Sequence, residues 1–434
     1  MKHAWVALML ACGGGPRAAV DDAVAAKDVP RALSAYDGFR EADGSDIALL
    51  AEIASLVLEL EALSDDPERV RAAITQLRLA GNAGLPALHR LADAEGITLV
   101  RALALEALAK RGDGSARAFL FAMIEEDDPE LVALAISAAD PEEDSERLIA
   151  LLDDTHPPVR AAAALALGGL TESIDSLHGL AQLSRVDPEA TVRNAAVRAL
   201  GGFGASAVPF LRERMGDADS SVRLAVVRSL VRADRDASLE IIASLLATPP
   251  SQAGIEAARV IALTGEPRDD DEPSAEGVGD ARAYLLASLG DENPNLRSQA
   301  AVALVSLRAH APTDAALVRA LGTETEPGVR LGLARALRGR EVGDAEAEAA
   351  LGALLEGDGM PAVQAALLLS AEGREDALTR LEAALEDEDS LIRRVAARGL
   401  AKDAGRPDQV RALMRDEDVL VRIHAAGGIL AAAN

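Results

Sequence analysis

Between residues 190 and 204 the apolar side chains fall at Val192, Ala195, Ala196, Ala199, Leu200 and Phe203. The i, i+3, i+4, i+7, i+8, i+11 spacing is the stripe of one helical face. Gly201, Gly202 and Gly204 follow at once and predict that the helix stops there. A second helix is predicted from Val208 to Met215, with Pro209 in its first turn, where a missing amide hydrogen is tolerated. This helix pair recurs along almost the whole chain.

The repeat is marked by an apolar residue followed by Arg, shortly after an acidic or Pro-containing turn. The marker stands at Val70-Arg71, Val100-Arg101, Val159-Arg160, Val192-Arg193, Val222-Arg223, Leu296-Arg297, Val329-Arg330, Ile392-Arg393 and Val421-Arg422. Degenerate copies fill the gaps at Val132-Ala133, Ile255-Glu256 and Val363-Gln364. From Arg71 to Arg422 is 351 residues over eleven steps, a mean of about 32. Such a period describes stacked supersecondary units, none of which buries its apolar face alone.

Residue types choose among the repeat classes. The Thr-Pro-Leu-His turn of ankyrin repeats is absent, aromatics are too few for tetratricopeptide repeats at 2%, and no strand-and-Asn ladder of leucine-rich repeats is present. What remains is Asp-x-x-x-x-Val-Arg, an Ala-rich helix ending in Leu-Gly, and a second helix of spaced leucines. This resembles the short HEAT-like repeat of the phycobilisome-lyase type. The best copies span 154–170, 187–203, 217–230, 291–307, 387–400 and 416–429, and the resemblance covers 64–434. It implies an all-α fold, a right-handed superhelical α-solenoid of about twelve short helix pairs, with second helices lining a concave face. It says little about function, because this scaffold serves many unrelated tasks.

Within the repeat, an Asp or Ser before the first helix suits its free amides and its positive end. The arginines at 71, 101, 160, 193, 223, 297, 330, 393 and 422 are expected to reach an Asp in an adjacent turn, a ladder of ion pairs down the stack. A planar guanidinium suits partly buried, bidentate pairing. The alternative is a row of solvated arginines, whose exposed pairs are each worth about 0–1 kcal/mol.

Composition narrows the classes of partner. With 434 residues, 49% of them hydrophobic, the core is ample and is built from Leu, Val, Ile and Ala. The net charge of −27 and the absence of a basic block argue against binding a phosphate backbone, so no nucleic-acid partner is expected. Cys12 is the single cysteine, which excludes an intrachain disulfide and a cysteine metal site.

The N-terminus reads as a secretion signal: Met1-Lys2-His3, an apolar run from Ala4 to Leu10, then small residues. Met9-Leu10-Ala11-Cys12 resembles the lipobox of bacterial lipoproteins. The resemblance implies cleavage after residue 11, acylation of Cys12 and a flexible tether over 12–17. Gly13 after the cysteine implies the outer membrane, facing the periplasm, whereas an unprocessed chain would be cytoplasmic. Residues 18–63 are expected to form a helical cap, loosely tetratricopeptide-like, and 64–434 the solenoid. An acidic, Pro-rich loop is expected near 266–280. The last unit holds one helix, 421–433, whose apolar face is left to the preceding helix or to a partner.

A search for catalysis yields no site. Histidines stand at 3, 89, 156, 178, 310 and 424, no two within five residues, so no helix offers a two-His metal face. They are followed by Ala, Arg, Pro, Gly, Ala and Ala, which removes the His-Glu ligands of the HEAT-like deoxyhypusine hydroxylase. Gly202-Phe203-Gly204 follows a helix rather than a strand and is no dinucleotide loop. The clusters Glu386–Asp389 and Asp416–Asp418 lack the glycine and ligand spacing of a calcium loop. The chain is therefore read as a non-enzymatic protein–protein interaction scaffold without cofactor, metal or small-molecule substrate, tethered to a bilayer through Cys12. Arg90, Arg212, Glu213 and Arg380 on second helices are its expected binding face. The alternative is a repeat-family enzyme, bilin lyase-like or hydroxylase-like.

Overall fold

The computed structural model describes residues 15–94, 99–170, 172–265, 277–308, 310–403 and 405–433. Cys12 and the signal sequence lie outside the described residues, as does the acidic stretch 266–276. The remainder of the expected acidic loop, from Val278, already belongs to a helix. Among the described residues all regular structure is helical, and the fold is an all-α array of helix pairs. Contacts divide it into two compact units, Met1–Leu120 with Leu355–Asn434, and Phe121–Leu354.

In the unit Phe121–Leu354 the first helices Pro157–Leu167, Ala190–Leu200, Ser220–Ala233, Gln252–Gly265, Pro294–Val305 and Pro327–Leu337 pack each on the next. The stripe read from the sequence faces inward: Val192, Ala196 and Leu200 are fully buried, and Phe203 nearly so. The second helix Val208–Glu213 starts one residue before Pro209, after a single tight turn at Gly204–Ala207. Residues 140–144 form a turn in which the Asp144 carboxylate accepts from the Asp140 amide at 2.8 Å.

The first helices do stop at the glycines that follow Leu167 and Leu200, but not by a left-handed C-cap. Gly201 keeps helical torsions, φ −57°, and Gly168 likewise, φ −63°; the left-handed residue of this turn is Gly204, φ +60°. Gly168 and Gly202 are needed for close approach. A Cβ on Gly168 would lie 2.9 Å from the Ala199 Cα, and one on Gly202 would lie 2.5 Å from the Gly168 carbonyl oxygen. Stacked helix ends thus meet backbone to backbone, which a methyl group would prevent.

In the other unit, four N-terminal helices are α1 (Pro16–Ala25), α2 (Val29–Asp43), α3 (Ile47–Ala62) and α4 (Pro67–Leu79). Helix α1 begins at Pro16, so the last two positions of the expected 12–17 tether are its first turn, and Arg17 bonds Asp46 at 2.9 Å. The terminal helix Val419–Ala432 packs against both α3 and α4. Its apolar face is therefore covered by the N-terminal helices as well as by its predecessor Ser390–Arg398. The approach is close: a Cβ on Gly427 would lie 2.4 Å from the Gln76 Oε1. Charged pairs surround this junction. Arg411 meets Asp37 at 2.9 Å, Asp408 accepts from Arg40 and Ser45 at 3.3 and 3.2 Å, and Arg422 donates to Glu61 at 2.8 Å. The buried Tyr36 hydroxyl lies 3.4 Å from Asp408, and burial and this carboxylate push its pKa up to about 12.

Candidate interaction surface

The repeat turn brings three functions onto one acid. Asp217 stands six residues before Arg223. Its Oδ1 accepts from the Asp219 amide at 2.9 Å, closing the turn. Both carboxylate oxygens accept the fork of Arg193 from the preceding unit, at 3.0 Å each. Its backbone carbonyl accepts from the Arg223 Nη1 at 2.7 Å. Asp187 does the same for Arg160, at 2.7 and 3.0 Å, and for Arg193 through its carbonyl at 3.0 Å. Glu324 receives Arg297 at 2.8 and 3.1 Å, and Asp416 receives Arg393 at 2.9 Å twice. These are charge-assisted bidentate pairs. They are nearly dry: the Arg193 and Asp217 side chains are 14% and 5% exposed. Hydrogen bonding from Arg193 holds the Asp217 carboxyl below the usual range, and Arg297 does the same to Glu324.

The remaining marker arginines are placed differently. Arg422 reaches Glu61 of α3 through one carboxylate oxygen. Arg101 donates to the Ala92 carbonyl at 3.1 Å and lies over the Phe119 ring, while Arg71 is exposed on α4. Among the described residues, Arg223 and Arg330 bond only backbone carbonyls, Asp217 and Ala218 for the first, Leu321 and Glu324 for the second. At these two positions the expected rung is absent. The physical reason at Arg223 is the next turn, Thr248-Pro249-Pro250-Ser251, which carries no acid. In that degenerate unit the marker position is Glu256, buried between Arg228 at 3.1 Å and Arg259 at 2.8 Å. Burial pushes its pKa up, but the two arginines outweigh burial and hold it below the usual range.

A groove lies beside this interruption. Helix Arg235–Ala243, prolonged by the turn Ser244–Ala247, and helix Val278–Ser288 border an open groove of about 990 Å³. Leu246, Ile261 and the Tyr284 ring supply its apolar floor. The ring is anchored: its hydroxyl donates to the Pro249 carbonyl at 3.1 Å and accepts from the Ser251 amide at 3.2 Å. Gly254 makes room for it, since a Cβ there would lie 2.1 Å from the Tyr284 hydroxyl. Exposed Ala243, Ala247, Ala283 and Ala287 form the walls, and among the described residues exposed Glu240 and Asp280 are the only charged lining.

The expected binding residues are distributed differently. Arg90 is paired with Glu59, its Nε at 2.9 Å, and Arg380 is half-buried and donates to the Gly357 carbonyl at 3.2 Å. Arg212 and Glu213 are exposed at the end of Val208–Glu213. The sequence reading missed the groove and also the buried Arg340–Asp314 pair at 2.7 Å, in which Arg340 further caps the Leu304 and Leu307 carbonyls at 2.9 Å. Arg340 lies off the marker register, so no pattern announces it. The groove had a legible signal: the loss of both the turn acid and the marker arginine in one unit. Among the described residues, no group of three or more His, Cys, Asp or Glu is placed to hold a metal ion, and no helix is long and apolar enough to cross a membrane.

Residues 177–264 match the HEAT-repeat family, and residues 146–174 match a single HEAT repeat. No curated protein matches the chain. Among solved structures it is similar to Kap95p bound to RanGDP, at 15% identity and TM-score 0.38, over 88% of this chain and 60% of that one. It is similar to importin beta at 15% identity and TM-score 0.39, over 86% of this chain and 55% of that one. A third is YibA of E. coli, at 15% identity and TM-score 0.34, over 72% of this chain and 100% of that one. The chain thus spans 60% and 55% of the lengths of the two importin chains.

Proposed function

We propose that this chain is a non-enzymatic protein–protein interaction scaffold, held at a bacterial membrane by an acylated Cys12. One observation carries the scaffold reading: Arg160, Arg193, Arg297 and Arg393 are tied up in rungs between successive repeats, while an apolar groove with exposed alanine walls is left open on the second helices. Paired charges stiffen a repeat array, and an open apolar concavity is what a partner's side chains fill. Acylation rests on the lipobox-like Met9-Leu10-Ala11-Cys12, and it places the scaffold in the cell envelope.

Affinity capture from membranes with the full chain tests the scaffold reading. Reproducible enrichment of a defined protein over a heat-unfolded control supports it, and equal recovery from both refutes it. Intact mass of the chain expressed in a bacterium tests the anchor. Loss of residues 1–11 together with added acyl mass is expected, and an unprocessed chain would remove the envelope assignment while leaving the scaffold reading in place.

A further inference from the structure

We infer that the groove between Arg235–Ala247 and Val278–Ser288 takes a short helix of a partner protein. That helix buries a face of small and apolar residues and carries Lys or Arg beside it. The inference rests on the scaffold reading and gives it a site and a class of ligand.

Shape comes first. Ala243 and Ala247 on one wall, and Ala283 and Ala287 on the other, each stand one turn apart and are exposed. Alanine loses no rotamer freedom on burial, and small side chains allow helix axes to approach to about 8 Å. Each wall offers about two turns, roughly 11 Å of helix. The exposed alanines and the half-buried Leu246 supply the apolar surface that a partner removes from water, over a floor of already buried Ile261 and Tyr284.

Charge then selects the occupant. Among the described residues the charged lining of the groove is Glu240 and Asp280, with no Lys or Arg, so a cationic flank is attracted and an anionic one repelled. A second copy of the chain is a poor occupant, because each copy carries a net charge of −27. The chain's own stretch 266–276 is also a poor one. It joins the groove at Gly265 and Gly277, but it holds six acids against one arginine, and its only apolar residues are Pro267, Pro273 and Ala275. Its carboxylates are repelled by Glu240 and Asp280, and it has no large apolar residue for the floor.

The groove adjoins the turn that lost its acid. Rungs join consecutive turns at Arg160, Arg193 and Arg297. Among the described residues Arg223 has no such rung, and the Tyr284 hydroxyl holds the turn instead.

The test uses the full chain and fluorescently labelled synthetic helices of about 15 residues. One has a Leu/Ala face flanked by lysines, one has the same face flanked by glutamates, and one is a scramble of the first. Fluorescence anisotropy should show the Lys peptide binding at least about tenfold more tightly than the other two, and more tightly as salt is lowered. Ala247→Arg and Ala283→Arg, both at exposed positions, should retain the helical circular dichroism and weaken the Lys peptide by about tenfold. The pair Glu240→Lys with Asp280→Lys should reverse the preference toward the Glu peptide.

Equal binding of all three peptides overturns the inference, as does Lys-peptide binding that ignores Ala283→Arg. A dimer in sedimentation that Ala283→Arg dissolves would make a second copy the occupant. Binding that emerges only after 266–276 is replaced by Gly/Ser would make the chain's own stretch the occupant. Both results refute the inference. If the peptides fail while affinity capture yields a partner insensitive to Ala283→Arg, the groove is wrong and the scaffold reading stands. If capture also fails, the scaffold reading falls with it.

Discussion

Residues 187–223 and residues 223–256 are built on the same plan and differ at one turn. In the first stretch Asp187 and Asp217 each close a turn, receive an arginine fork from the unit before, and lend a carbonyl to the arginine of their own unit. In the second, the turn is Thr248-Pro249-Pro250-Ser251, and the arginine position is Glu256. Arg223 keeps its two carbonyl bonds and has no fork partner among the described residues. Tyr284 takes over the turn by bonding Pro249 and Ser251, and a groove opens beside it. One acid per turn thus separates a turn held by an arginine fork from a turn held by a tyrosine hydroxyl.

Mutations can break this contrast, and the largest effect is expected at the locked turn. Asp217→Ala strands the Arg193 guanidinium, nearly buried, without its carboxylate and should destabilise the chain by about 3 kcal/mol. Arg223→Ala removes only bonds to carbonyls and should lose about 1 kcal/mol. Urea denaturation, with hydrogen exchange of Ala190–Leu200 to localise the change, measures both. Equal losses would erase the distinction.

Next is Gly254→Ala, which forces a methyl group into the Tyr284 hydroxyl. About 2 kcal/mol is expected, with the local exchange confined to Gln252–Gly265 and Val278–Ser288. A neutral result would mean that Tyr284 does not anchor the turn.

Acid should sharpen the contrast further. The carboxyls of Asp217 and Glu324 sit below the usual range, so between the folded value and the ordinary value of about 4 the unfolded chain binds more protons. Their stabilisation is complete above about pH 5 and disappears as pH falls through the folded value. Asp217→Asn should flatten the dependence of urea midpoint on pH below about 5, and Arg223→Gln should leave that dependence unchanged.

Two smaller changes test the open turn. Tyr284→Phe should lose about 1 kcal/mol with the hydroxyl's two bonds. Pro250→Asp places an acid 27 residues after Arg223, the separation seen for Arg160–Asp187 and Arg297–Glu324. A new fork there should add about 1 kcal/mol of stability, and an unchanged or lower midpoint would show that register alone does not make a rung.

The rungs show how far a pattern can be read. The spacing Asp-x-x-x-x-Val-Arg announced a helix start, a buried valine and an arginine aimed at a neighbouring turn. It could not say which arginines find an acid, because each partner lies 23–27 residues away, in the next unit. Gly168 and Gly202 looked like helix stops, the usual local meaning of a glycine after an apolar run. The helices do end there, but the further reason, the approach of a neighbouring backbone, is invisible without the neighbour. The exposed second-helix arginines were legible as surface, yet Arg90 is engaged by Glu59 from α3.

From the residues alone came the helix pair, its period and the all-α class, because amphipathic spacing and turn chemistry act within a few residues along the chain. The packing of Val419–Ala432 on α3 and α4, the Tyr36–Asp408 contact across 372 residues, and the groove beside Tyr284 needed the tertiary structure. These depend on which faces meet, and on where a stack leaves a gap. A periodic sequence presents nearly the same face at every repeat, so only the assembled neighbours select among the many pairings it allows.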